Sequence, residues 1–193
     1  MPLESSASAF DVSGVAGNVS DEVKEFLGNH NNFFASFLKP GQRPLNSFAN
    51  AIQHRVKVTE LSVTEKAEEP NKFEGRAVLE IEVTEDMVNA VGNIHGGCSA
   101  YLIDVASSFA LAVLSLHMTG KVNPSVSQAL NVVYHSPAGI GEKLRLVNTT
   151  LTVGKRAESV RTEIWNVTHH RLVASGVHIK MLPSPAPQLK SAL

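Results

Sequence analysis

The sequence predicts an α+β domain in which a curled antiparallel sheet wraps around one long central helix. Three observations predict it. Six segments alternate apolar and polar residues, the mark of strands with one buried and one wet face. Between the second and third of them runs CSAYLIDVASSFALAVLSL, residues 98–116, apolar on nearly every side. The last four strands follow one another through short connections, which require antiparallel pairing. One sheet that must bury a face against a helix greasy all round can do so only by curling about it.

The elements follow in order. Residues 1–19 are rich in Ser, Ala, Gly and Val without periodicity, and are expected to be disordered. Ser20 before Asp21 and Glu22 reads as a helix start, with acids where the helix dipole favours them. Val23, Phe26 and Leu27 share a face, Gly28 to Asn32 interrupt it, and Phe33, Phe34, Phe37 and Leu38 resume it up to Pro40-Gly41. Residues 20–50 therefore form a helical extension, an amphipathic cover docked on the main domain at 51–182. The first strand, His54–Thr64, carries Val56, Val58, Leu61 and Val63. The second, Phe73–Thr84, follows a Pro70-Asn71 turn with Leu79, Ile81 and Val83 opposite Glu80 and Glu82. The helix spans Gly96 to Met118 and Gly120 stops it. Strands at Ser125–His135, Glu142–Val153, Glu158–Thr168 and Arg171–Leu182 complete the domain, and residues 183–193 are a tail.

At 193 residues the chain suffices for one full core. A net charge of −1 argues against nucleic acid, which needs a surplus of Lys and Arg. The single cysteine, Cys98, makes no internal disulfide. The first twenty residues show neither basic charge nor a long apolar run, and the final Ser191-Ala192-Leu193 lacks the lysine of the peroxisomal address. An intracellular, cytoplasmic setting is expected, with mitochondrial and peroxisomal placement left open. The Asn18, Asn148 and Asn166 glycosylation triplets are then chance matches. Residues 98–116 are long enough to span a membrane, but Asp104 and four serines interrupt them, so no membrane span is expected. One small sheet will not cover so apolar a helix completely, and the remaining flank predicts a homodimer, or a dimer of dimers.

The chemistry gathers in Asn89-Ala-Val-Gly-Asn-Ile-His95-Gly96-Gly97, which runs directly into the helix. Gly96 and Gly97 bring backbone N–H groups to a helix N-terminus, where the dipole is positive and the donors have no intrahelical partner. That arrangement holds an anion, or an oxygen becoming one, and each such donor typically supplies about 2.7–4 kcal/mol of transition-state stabilisation. Asp104 needs partners, because an ionised carboxylate in a dry helix costs several kcal/mol without them. Ser108, one turn on, shares its face. Gly96 and Asp104 are eight residues apart, about 12 Å along a helix, too far to meet at one carbonyl. Two such helices antiparallel across a two-fold axis would bring each Asp to the partner's N-terminus.

These residues carry a resemblance. N-A-x-G-x-x-H-G-G followed by a helical Asp, then a strand like that of Val126–Ala138, resembles the hotdog-fold acyl-CoA thioesterases. The nearest subgroup holds bacterial phenylacetyl-CoA thioesterases and small mitochondrial acyl-CoA thioesterases, and the resemblance covers residues 50–182. It implies hydrolysis of acyl-CoA to free acid and coenzyme A, with Asp104 as general base or nucleophile and Gly96 as the oxyanion donor. Asn89 and His95 would fix the thioester, Ser108 would stand one turn after the acid, and Ser127 would hold water. Coenzyme A would lie across the surface on Lys155 and Arg156, with the Gly97 N–H nearby. The extension at 20–50 could then be a lid over an acyl tunnel. Gln128-Ala129 stand where some members place an acid, and the N-terminus is unusually long; both bear on substrate choice rather than reaction.

No cofactor and no metal are implied, since coenzyme A is part of the substrate and no H-x-x-x-H pair occurs. A Ser-His-Asp hydrolase lacks its G-x-S-x-G elbow. Two rivals keep the fold and change the chemistry: a hotdog hydratase or dehydratase, and a non-catalytic acyl-CoA-binding module.

Overall fold

The computed structural model describes residues 10–38, 41–42 and 47–182. The expectations of disorder at 1–9 and of a tail at 183–193 lie outside the described residues. Six strands, β1 (Lys57–Glu65), β2 (Phe73–Glu82), β3 (Val126–Tyr134), β4 (Lys143–Val153), β5 (Ala157–Asn166) and β6 (Arg171–Met181), make one sheet in the order β1-β2-β4-β5-β6-β3. Every pairing is antiparallel. The helices are α1 (Asp21–Gly28), α2 (His30–Ala35), α3 (Asn50–Gln53) and α4 (Gly96–Thr119). Each predicted strand and the central helix lie within three residues of their expected ends.

Curvature comes from bulges. Register breaks at Val58/Glu60, Ser127/Ala129, Thr150/Thr152 and Ile164/Trp165 bend the strands about α4. Leu102, Ile103, Phe109 and Val113 of the helix are buried against Leu79, Leu144, Leu146 and Ile164 of the sheet. Close approach of α4 to β2 requires Gly75, where a Cβ would fall 2.3 Å from the Ala110 carbonyl oxygen. Gly120, at φ +67°, ends α4 and donates its N–H to the Leu116 carbonyl. By length and hydropathy α4 could cross a membrane, yet 61% of its most apolar window is buried inside the fold, as a core helix should be.

Three expectations are corrected. The short connection from β3 to β4 does not pair them: β3 lies beyond β6 and β4 lies between β2 and β5. Residues 135–142 instead cross the open end of the curl. There Ile94 donates its N–H to the Ala138 carbonyl, and His135 donates to that of Val173. Short loops imply antiparallel direction, but in a sheet curled around a helix they do not imply adjacency.

Residues 10–19, expected to be disordered, lie along the outer edge of β1. Ala16 exchanges two backbone hydrogen bonds with Thr59 and Leu61 at 2.9 and 3.0 Å, and the Asn18 side chain makes two more with the Val63 backbone. Val15 is buried beneath. The segment covers a sheet edge that would otherwise expose unpaired backbone groups. A few spaced apolar anchors, Phe10, Val15 and Val19, and main-chain bonds leave little trace in composition. Ser20 precedes α1 as expected, but its hydroxyl makes no capping bond.

The third correction concerns the uncovered apolar surface. The α1–α2 pair docks on α4 through Phe33, which is fully buried with its ring 4.6 Å from that of Phe109. From Cys98 to Leu116 the residues of α4 are buried or half-buried within one chain. The exposed apolar side chains lie on β3 instead, where Val126, Val133 and Tyr134 are each more than half exposed on an unpaired edge strand.

Candidate active site

The loop before α4 is organised by Asn89. Its Oδ1 accepts from the N–H groups of Val91 and Asn93, and its own N–H donates to the Asn93 carbonyl. The side-chain amide nitrogen has no protein partner among the described residues. His95 caps the helix: its Nδ1 accepts from the Gly97 N–H at 2.9 Å, which fixes the ring against the first turn. Two open donors were expected at the helix start, and this bond leaves one. The Gly97 N–H is satisfied within the chain and is not open to coenzyme A. The Gly96 N–H stays without a protein acceptor among the described residues, as the first helical position must. The Tyr134 hydroxyl donates to the Gly96 carbonyl at 3.1 Å and locks the end of β3 to this turn. Asn89, Gly96 and Tyr134 line one cavity of about 380 Å³.

Asp104 lies elsewhere. Its Oδ1 accepts from the Ser127 hydroxyl at 3.0 Å, and the side chain is 44% exposed in the isolated chain. It is therefore not the fully desolvated acid expected from the sequence, but a carboxylate at the mouth of a cavity of about 250 Å³. Ser108 shares that cavity and accepts a hydrogen bond from Lys180 Nζ at 2.8 Å.

Two groups here escaped sequence reasoning: His178 and Lys180, both on β6. His178 is completely buried. Its Nδ1 is 2.7 Å from the Ser107 hydroxyl, which donates to the Asp104 backbone carbonyl. Its Nε2 stands 3.3 Å from Asp104 Oδ1 and makes no hydrogen bond among the described residues. The signal was in the strand alternation. On β6 the apolar Val177, Ile179 and Met181 are half-buried or exposed, whereas Ala174, Gly176, His178 and Lys180 face α4. Assigning the apolar phase to the core inverts this strand; small residues followed by His and Lys on the inner phase marked a polar site.

Burial pushes the His178 imidazole below its usual 6.5, and the nearby Lys180 ammonium adds to the effect while the Asp104 carboxylate opposes it. Lys180 is likewise lowered by burial, against the attraction of Asp104 and Glu158. Because the folded chain holds His178 neutral where the unfolded chain would protonate it, stability is full above pH 6.5. It falls as pH drops from there through the lower folded value. His178→Gln should flatten that acid-side decline, read as urea midpoints between pH 5 and 7.5. An unchanged slope would mean that His178 does not control it.

Lys155 and Arg156 are exposed in the β4–β5 turn and form no ion pair among the described residues. The rows Ala157–Met181–Val126 and Glu158–Lys180–Ser127 run side by side across β5, β6 and β3, so this turn lies at the Asp104 end of the sheet. Cys98 is no nucleophile here: burial raises its thiol to about 11, which keeps it protonated.

One chain thus holds two half-sites, an oxyanion donor with Asn89 at one end of α4 and an acid with its serines a further two turns along. The model of the family described as the thioesterase superfamily matches residues 91–173. Acyl-coenzyme A thioesterase 13 of Homo sapiens is 34% identical over 108 residues, 56% of this chain and 74% of that protein. The Mus musculus protein of the same name is 35% identical over 107 residues, covering 55% and 73%. Among solved structures, thioesterase superfamily member 2 from Mus musculus superposes with a TM-score of 0.60 at 25% identity, covering 86% of this chain and all of that one. The zebrafish thioesterase superfamily member 2 gives 0.57 at 27% identity, over 72% and 89%. With that extent of identity to the curated relatives, and with the curled sheet and central helix that superpose on the solved structures, the chain belongs to the thioesterase superfamily and has its hotdog fold.

Proposed function

We infer that the chain hydrolyses acyl-CoA thioesters to a free acid and coenzyme A, and that each site is shared between two copies. The hydrolysis follows from the family and from its acyl-CoA thioesterase relatives. The observation that carries the chemistry is Asp104, an accessible carboxylate held by Ser127 at the mouth of a partly apolar cavity.

The thioester oxygen accepts from the Gly96 N–H and the Asn89 amide, which stabilise the charge that builds on it. Asp104 either takes a proton from a water positioned by Ser127 and Ser108, or attacks the carbonyl itself. In the first route the water oxygen bonds to the carbonyl carbon as the C–S bond breaks. In the second an Asp104 oxygen does so, and water then hydrolyses the mixed anhydride to the free acid and restores the carboxylate. In both the coenzyme A thiolate leaves and is protonated. Lys155 and Arg156 offer cations to the phosphates of coenzyme A at the edge of the site.

Sharing rests on β3. Ser127 near its start holds Asp104, and Tyr134 at its end holds Gly96. Were two exposed β3 edges to pair antiparallel across a two-fold axis, the Ser127 end of one would lie against the Tyr134 end of the other. Asp104 of one chain would thereby approach Gly96 of its partner. The same pairing would cover Val126, Val133 and Tyr134 and satisfy the free edge.

Free-thiol release from a series of acyl-CoAs tests the reading. Release is expected with saturated acyl-CoAs; a hydratase would act only on enoyl or hydroxyacyl-CoAs without freeing thiol, and a binding module would free none.

A further inference from the structure

We propose that the N-terminal extension builds the acyl pocket of this site and sets its chain-length preference to medium-length acyl groups. This rests on the reading of the chain as an acyl-CoA hydrolase. The cavity at whose mouth Asp104 stands has Asp104, Ser108 and Lys180 on its polar side, and its apolar wall joins Phe33, Phe34 and Phe37 of the extension to residues of α4 and the connection after it. The three rings come from α2 and the turn after it, outside the stretch at 91–173 that matches the family. Phe33 anchors them: it is fully buried, with ring centroids 4.9 Å from Phe34, 5.2 Å from Phe37 and 4.6 Å from Phe109 of α4. An amphipathic cover needs only to seal apolar surface. This one stops short and leaves a void of about 250 Å³ between its rings and the acid.

A void with a carboxylate at one wall and aromatic rings at another suits a substrate that is polar where it reacts and apolar beyond. Its size bounds the chain it can take. At roughly 30 Å³ for a water-sized group, it holds on the order of eight methylenes. Each buried methylene should tighten binding about fourfold until the space is full. Leu111 and Asn123 line both this cavity and a larger one, about 450 Å³, under the β4–β5 turn. Leu111 is buried within the core, so a longer chain would have to displace it.

The test uses Asp104→Ala, which cannot turn substrate over, titrated calorimetrically with acetyl-, octanoyl- and palmitoyl-CoA. Octanoyl-CoA should bind at least a hundredfold more tightly than acetyl-CoA, with little further gain for palmitoyl-CoA. Adding Val122→Trp, which fills the void from the half-buried connection between α4 and β3, should cut the octanoyl-to-acetyl ratio at least tenfold. Adding Phe34→Ala should raise the palmitoyl-to-octanoyl ratio instead. Equal binding of all three acyl-CoAs, or ratios that neither substitution changes, would overturn the proposal. If one variant fails to fold by circular dichroism, the other decides. Should the wild type release no thiol while these binding ratios hold, the hydrolysis reading falls and the pocket stands.

Discussion

Asp104→Asn should lower kcat for thiol release by about 10²–10⁴, the range typical of losing a positioned acid–base group, with KM changed little. The reasoning is geometric. The amide is nearly isosteric with the carboxylate, so its oxygen can still accept from Ser127 as Asp104 does now at 3.0 Å. The cavity keeps its shape, the Gly96 and Asn89 donors keep theirs, and substrate binds as before. What disappears is the ability to take a proton or to attack a carbonyl, which an amide lacks. Either route through Asp104 therefore predicts the same loss in kcat alone. Residual activity above about a tenth of wild type would remove this residue from the chemical step. A large rise in KM at unchanged kcat would make it a binding group instead. Thermal denaturation of the variant guards against a third explanation, since a half-exposed surface carboxyl should contribute little to stability.

The fold was legible because its two periods differ so plainly. Glu80 and Glu82 alternating with Leu79, Ile81 and Val83 can only be a strand with one wet face, and residues 98–116 can only be enclosed. Direction was legible too, but not order: nothing local to β3 says that its partner is β6, because the choice is made by how the sheet closes around α4. The site was half legible. Residues 89–97 and Asp104 stand out because they break rules, glycines at a helix start and an acid in an apolar run. Ser108 and Ser127 do come together with that acid, and Asn89 does share a cavity with Gly96. His178 and Lys180 stayed hidden because β6 turns its polar phase inward, contrary to its hydrophobicity. The Gly97 N–H was over-read, since the same His95 that marks the motif consumes it.

Mixing Asp104→Ala chains with Gly96→Pro chains should restore activity to about a quarter of wild type from two preparations that are each nearly inactive. The number follows from symmetry. At equal amounts, random pairing makes about half of the dimers mixed. In a mixed dimer one site receives both lesions and the other receives neither, so half of its sites work. Proline is a suitable lesion at Gly96 because it deletes the N–H donor and is tolerated at the first helical position. It also brings carbon near the Tyr134 ring, where a Cβ at this position would sit 3.3 Å away, so that ring must give by a few tenths of an ångström. The alternative makes an opposite forecast. If one chain assembled its own site, α4 would have to bend one carbonyl across about 12 Å of helix to reach both Gly96 and Asp104. Every site would then carry a lesion whatever its partner, and mixed dimers confirmed by native mass spectrometry would stay inactive. Complementation therefore asks whether a free β3 edge and two half-sites set two turns apart on one helix are a single feature: an enzyme divided between copies of itself.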